Sequence, residues 1–190
     1  MSTTAAPTGL TTTASTVATA LRRLYFVRFA FAVVWALVMF TMSARISPAG
    51  AVLLVLYPLF DVGAAVVDAR SSRATGSPGL LYVNMAVSLL AAVGVAIACA
   101  SGVPAVLRVW GAWAFVSGLV QLVVALSRRT MGGQWPMILS GAISALAGAS
   151  FVASAGADEP TLTSAIGYAV PGGVFFLVSA LRLGRASRKS

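Results

Sequence analysis

Histidine is absent from this chain of 190 residues, cysteine occurs once, at Cys99, and only four residues are acidic. Without histidine there is no imidazole to act as a general base, as a metal ligand or as a pH switch near neutrality. A single cysteine excludes both an intrachain disulfide and a cysteine-based metal cluster. Because no catalytic constellation is visible among the remaining polar residues, we expect no enzymatic activity, no metal and no cofactor.

Charged residues are also scarce, at 9% of the chain, whereas 59% of the residues are hydrophobic and the mean hydropathy is +0.94. A soluble globular domain of this size could hardly keep such a composition in solution, so we expect the lipid bilayer to be the main partner. The formal net charge of +9 would suit nucleic acid only if the basic residues formed one water-facing surface. They instead punctuate apolar segments, so no binding of nucleic acid is expected.

Six apolar runs, each about twenty residues long, make up most of the chain. A helix of that length crosses roughly 30 Å of hydrocarbon, and the alternation of barrel strands is missing. The predicted fold class is an all-α integral membrane protein, with six transmembrane helices arranged as three helical hairpin repeats. The Thr- and Ala-rich residues 1–20 lack apolar periodicity and predict a disordered cytoplasmic tail, before a transmembrane domain at 21–185 and a basic cytoplasmic tail at 186–190. The predicted spans are 24–42, 49–67, 80–100, 105–126, 135–155 and 161–181.

Basic residues are distributed unequally between the two sides of the predicted bundle. Eleven lie near the chain ends and in the even-numbered connections, against only Arg45 and Arg108 on the other side. Because positive loops stay in the cytoplasm, this asymmetry predicts a multi-pass protein of the cell membrane with both termini cytoplasmic. The adjacent Asp158 and Glu159 are interpreted as a solvated turn, with a metal-binding or proton-sensing role as the alternative.

A weak internal period supports the three hairpins. Gly63, Gly118 and Gly173 are spaced by 55 residues, and Arg73 and Arg128 by the same interval. Each predicted hairpin also returns to an arginine-containing segment. Together these features favour a threefold repeat of one hairpin unit.

Small residues recur at helical spacing in the fifth span. Ser140, Ser144 and Gly148 are four residues apart on one face, and Gly141 lies beside them. Small side chains allow membrane helices to approach each other closely. We therefore predict tight packing of this span against a neighbour.

Two charged residues, Arg28 and Asp61, qualify as mid-membrane charges of predicted spans, where a charge costs about 2.5–3.5 kcal/mol and is by default paired or functional. In an antiparallel hairpin, residues at equal depth have numbers that sum to twice the centre of the turn. For the first turn that sum is about 90 to 92, and 28 plus 61 is 89. The second turn, centred between residues 102 and 103, requires 205, which 84 plus 121 gives for Asn84 and Gln121. We predict an intramembrane polar pair of Arg28 with Asp61 and a secondary pair of Asn84 with Gln121.

The first pair has two interpretations. It acts either as an interhelical clamp that fixes the hairpin, or as a latch that responds to protons or ions. Arg28 by itself could snorkel to the membrane surface, whereas Asp61 is too short to do so. The third hairpin offers no comparable pair at equal depth, although Ser144 and Tyr168 are among its polar residues.

The order and spacing of several residues resemble the HdeD-type short-repeat membrane proteins over about residues 22–185. In the first hairpin these are Arg28, Trp35, Pro48, Asp61 and Gly63. In the later stretch RRTMGGQWPMILSGAISALAG, similar to the start of another repeat unit, they are Arg129, Trp135, Gly141 and Gly148.

The chain departs from that pattern at Phe29 and Val62, where the family often has glycine directly after the span-one arginine and the span-two aspartate. The resemblance implies a six-span bacterial inner-membrane protein, in a family named for an acid-resistance member. It implies no established catalytic activity.

Two classes of function follow. The first is a stress-associated membrane protein that acts through helix packing, homo-oligomerisation or binding of a membrane-protein partner. The alternative is a small transporter or channel subunit with a polar site at Asp61, Asn84 and Gln121. Pro58 and Pro171 lie inside predicted spans, and broken helices often mark binding sites in transporters. Transport predicts a water-accessible cavity around the three polar residues, whereas their tight packing would favour the first class.

Overall fold

The computed structural model describes residues 8–42, 46–72, 79–131 and 133–186. Over these residues the chain forms six long α-helices and one short 3-10 helix, Arg129–Met131, and contains no strand. Each α-helix is long and apolar enough to cross a membrane, which confirms the predicted all-α, six-span fold class. The α-helices are α1 (Thr8–Met42), α2 (Pro48–Ser72), α3 (Gly79–Cys99), α4 (Val103–Ser127), α5 (Trp135–Ser154) and α6 (Thr163–Ala186).

Proline and glycine set several helix boundaries. Pro48 begins α2, and Pro104 and Pro136 occupy the first turns of α4 and α5, where a missing backbone N–H leaves no helical hydrogen bond unmade. Gly102, between α3 and α4, has a φ of 92°. That left-handed conformation is strained for residues with a Cβ atom, so glycine permits the tight turn of the second hairpin.

Helix α1 begins earlier than the sequence predicts. Residues 8–20, expected to belong to a disordered tail, are helical in the structure. Val17 and Leu21 lie one helical turn apart and are buried in a cluster that includes Ala180 and Leu183 of α6. Packing of Val17 and Leu21 against α6 thus stabilises helix at a place where the composition does not predict it. Residues 1–7, and 187–190 of the predicted basic tail, lie outside the described residues.

The six helices form a closed ring. Each helix contacts the one before it and the one after it in the chain, and α6 contacts α1. The most extensive contacts join α4 to α5, α1 to α6 and α2 to α3. They therefore lie between the three predicted hairpins (α1–α2, α3–α4 and α5–α6) rather than within them. The ring has a basic end, defined by Arg22, Arg23, Arg70, Arg128, Arg129, Arg182 and Arg185.

Glycines bring α4 and α5 into close contact. A Cβ atom added at Gly118 would lie 2.8 Å from the carbonyl oxygen of Gly141, and one at Gly111 would lie 2.6 Å from that of Gly148. The two glycines of each helix are seven residues apart and therefore share a face. This is the tight packing predicted for the fifth span, with α4 as the neighbour. The repeat-related Gly63 has nothing within 4 Å of an added Cβ atom, so the 55-residue period does not reproduce the contact.

Aromatic side chains fill the space between the helices near the end of the bundle that lies opposite the basic end. Trp35, Tyr57, Trp110 and Trp113 have ring centroids 4.7 to 5.9 Å apart. The indole of Trp35 donates a 2.7 Å hydrogen bond to the carbonyl of Leu53. The rings of Tyr57, Trp110 and Trp113 form an aromatic wall along a cavity between the helices.

Candidate intramembrane polar site

The carboxylate of Asp61 on α2 is the centre of a buried hydrogen-bond network. It accepts bonds from Arg28 Nη2 on α1 at 2.7 Å and from Asn84 Nδ2 on α3 at 2.6 Å. Ser88 Oγ, one turn further along α3, donates a third bond of 2.8 Å. Ser88 in turn accepts a 3.0 Å bond from the indole of Trp113 on α4. Four helices therefore converge on one carboxylate, which has the partners that a buried charge requires.

Arg28 contacts a carboxylate on one side and an aromatic ring on the other. Its side chain is 16% exposed, and the Asp61 side chain 14%, so the ion pair is largely removed from solvent. The guanidinium also lies over the ring of Phe176 on α6, 4.9 Å from the ring centroid, in a cation–π geometry. Its Nε is buried and has no hydrogen-bond partner among the described residues.

The structure brings the predicted pair of Arg28 and Asp61 into contact but does not join Asn84 to Gln121 by a hydrogen bond. Asn84 turns to Asp61, and Gln121 Nε2 donates instead to the carbonyl of Met137 on α5, at 3.3 Å. Equal depth leaves the rotation of each helix undetermined. This rotation decides which neighbour a side chain meets.

The third hairpin contains a polar pair that the depth rule does not find. The hydroxyls of Ser144 on α5 and Tyr168 on α6 lie 2.7 Å apart. Eight residues, 155–162, connect these helices. So long a connection does not define the centre of the turn well enough for the rule to apply.

A second ion pair lies nearer the basic end and is absent from the predictions made from sequence. Arg128 Nη1 lies 3.0 Å from Asp68, and the two side chains are 15% and 12% exposed. Burial lowers the pKa of the Arg128 guanidinium, but the hydrogen bond and charge of Asp68 outweigh it, so the pKa is raised overall. The sequence does carry a signal for this pair: Asp68 follows Asp61 by seven residues and Arg128 follows Gln121 by seven, which places each on the same helix face as a predicted site residue.

Two adjoining cavities surround the central ion pair. The first has a volume of about 70 Å³ and extends from Asp61 to the Asp68–Arg128 pair, a distance of about 10 Å at 1.5 Å per helical residue. The second has a volume of about 100 Å³ and extends from Asp61 toward the aromatic wall. Both are lined by Arg28, Asp61, Ser117, Gln121 and Phe176.

Polar side chains line both cavities. The Ser117 hydroxyl is buried and has no hydrogen-bond partner among the described residues. Asn84 and Gln121 line the first cavity together with Asp61, and the Ser144–Tyr168 pair lines the second. A polar cavity of this size has room for several water molecules, one of which would satisfy the Ser117 hydroxyl.

Fold and site together define a class: a six-helix membrane protein with a polar interior built on buried ion pairs. Comparisons of the chain with protein families, with curated proteins and with solved structures find no match in any of the three.

Proposed function

We propose that this protein is a small transporter or channel subunit, and that a proton or a water-sized solute moves through its polar interior. The observation that carries the proposal is the pair of cavities that meet at Arg28 and Asp61. A transporter requires such space around its polar residues, whereas a purely structural clamp requires close packing. Asp61, Asn84 and Gln121 all line the first cavity.

The chemistry of the interior suits a small solute. Arg28 and Asp61 compensate each other, as do Arg128 and Asp68, so the path is close to neutral in a region where an unpaired charge is expensive. Volumes of about 70 and 100 Å³ admit a few water molecules and exclude sugars, amino acids and nucleotides. The aromatic wall beside the second cavity would then separate the path from the far side of the membrane.

For the location of the protein we propose a bacterial inner membrane, with the basic end and both termini in the cytoplasm. The support is the excess of arginine at that end of the ring, which follows the positive-inside rule. Fusion of alkaline phosphatase to the C-terminus should give an inactive reporter, and fusion to the connection at Asp158 an active one. The opposite pattern would overturn this orientation.

A second candidate function is the stress-associated role that the HdeD-type resemblance implies. Here the chain would act through packing, self-association or a membrane-protein partner. The support is that Asp61 already has three hydrogen-bond donors and that α4 and α5 pack through their glycines. This candidate predicts no flux through the protein.

Flux into reconstituted vesicles separates the two candidates. Proton entry is followed with a trapped pH-sensitive dye after an acid jump, and water movement by light scattering after an osmotic step. We expect the protein to raise at least one of the two rates above that of protein-free vesicles, and Ser117→Val to lower it. Ser117 lines both cavities, and its hydroxyl has no hydrogen-bond partner in the part of the chain that the structure describes, so the variant adds bulk beside the cavities without breaking a known hydrogen bond.

The matched control is Asp158→Asn, which removes an exposed carboxylate in the α5–α6 connection, far from the cavities. It should leave the rate unchanged. If folded wild-type protein gives the same proton and water rates as empty vesicles, the transport proposal fails and the packing role is favoured.

A further inference from the structure

Arg28 occupies an unusual position because it touches both cavities while using few of its donors on protein. One nitrogen binds Asp61 at 2.7 Å, and Nε is buried without a hydrogen-bond partner within the described ranges. Ser117, whose hydroxyl is also buried and unpartnered, lines the same two cavities. Two side chains that each carry a buried donor without a partner among the described residues therefore line both cavities, and Asp61 is the carboxylate that compensates the charge of Arg28.

The charge balance of this region depends on few groups. On α3, Asp61 meets only the amide of Asn84 and the hydroxyl of Ser88, and α5 carries no titratable residue. Arg128 is compensated by Asp68. The titratable and charged groups that line the two cavities are Tyr25 and Arg28 on α1, Tyr57, Asp61 and Asp68 on α2, Arg128 after α4, and Tyr168 on α6.

Protonation of Asp61 would leave the charge of Arg28 without its counter-ion. Removal of a partner from a buried ion pair is strongly unfavourable because the surviving charge lacks both solvent and a counter-ion. A monovalent anion that enters with the proton restores neutrality, since the pair of ions adds no net charge. The cavity of about 100 Å³ beside Arg28 has space for an anion of halide size.

We propose that the interior is a proton-linked site for a small monovalent anion. Arg28 binds the anion through the donors that Asp61 releases and through Nε, and the Ser117 hydroxyl donates a further hydrogen bond. The binding step stands independently, while movement of the anion across the membrane rests on the proposed transport function.

Chloride binding to the detergent-solubilised full chain tests the site, with gluconate as the large control anion. Asp61→Asn imitates the protonated carboxyl group and should bind chloride near neutral pH, so its Tm should rise by several degrees in chloride relative to gluconate. Wild-type protein should show this rise only as the pH is lowered, with uptake of one proton for each chloride bound. Asp61→Asn combined with Arg28→Gln should lose the effect, and Asp158→Asn should behave as wild type.

Ser117→Ala keeps the ion pair intact and guards against a failure of Asp61→Asn to fold. It should weaken the chloride effect on wild-type protein at low pH. Equal Tm values in chloride and gluconate for every variant at every pH would overturn the site. Chloride binding without flux would overturn only the transport function, and proton flux without any chloride effect would overturn only the anion site.

Discussion

Two glycines at repeat-related positions, Gly118 and Gly63, should respond in opposite ways to the same substitution. A Cβ atom at position 118 would lie 2.7 Å from the backbone nitrogen of Ala145 and 2.8 Å from the carbonyl oxygen of Gly141. These are backbone atoms of α5 and cannot turn away, so α4 and α5 must separate. A Cβ atom at position 63 meets nothing within 4 Å.

The magnitudes follow from packing and helix propensity. Added methylene groups in a packed core cost about 1–3 kcal/mol, and Gly118→Ala should lie at the upper end because backbone atoms oppose the new methyl group. Gly63→Ala removes the flexibility of glycine inside a helix and should stabilise the protein by up to about 1 kcal/mol. For a chain of this size, 1 kcal/mol corresponds to about 2–4 °C in Tm.

Thermal unfolding in one detergent, followed by loss of the monodisperse peak in size-exclusion chromatography, measures both variants against wild type. We expect a fall of about 4–12 °C for Gly118→Ala and an unchanged or slightly raised Tm for Gly63→Ala. Equal Tm values for the two variants would refute the close α4–α5 contact. Such a result would favour equivalent repeats, as the 55-residue period suggests.

Three further predictions concern buried polar contacts. Asp61→Ala should destabilise the protein by about 3–5 kcal/mol because it leaves the Arg28 charge buried without a partner. The double variant with Arg28→Ala should lose less stability than the sum of the two single variants, and additive losses in a double-mutant cycle would contradict the ion pair. Asp68→Asn should lower the free energy of unfolding by about 1.5–3 kcal/mol. The stability difference from wild type should be the same at pH 7 and pH 10, because the raised pKa of Arg128 places its loss of charge only at strongly alkaline pH. A difference that disappears by pH 10 would contradict this prediction. Trp35→Phe should lower stability by about 1–2 kcal/mol through loss of the 2.7 Å bond to Leu53, measured by thermal unfolding; an unchanged Tm would show that this hydrogen bond contributes nothing.

Depth along the membrane normal could be read from the sequence for the central ion pair. Helical rise is constant, so the short first hairpin places Arg28 and Asp61 at nearly the same level, and the structure joins them at 2.7 Å. Rotation about the helix axis could not be read, because apolar residues cover every face of these spans. Asn84 therefore meets Asp61 rather than Gln121.

Amino-acid sequence alone determined the six spans, their class and the level of the central charges, since length, hydropathy and helical rise are local properties of the chain. Tertiary structure decided which faces meet. It closed the ring through contacts between α1 and α6, packed Val17 of the extended α1 helix against α6, and joined Asp68 to Arg128 across 60 residues. The cavities arise only in the tertiary structure, because they are the space left between side chains of helices that lie far apart in the sequence.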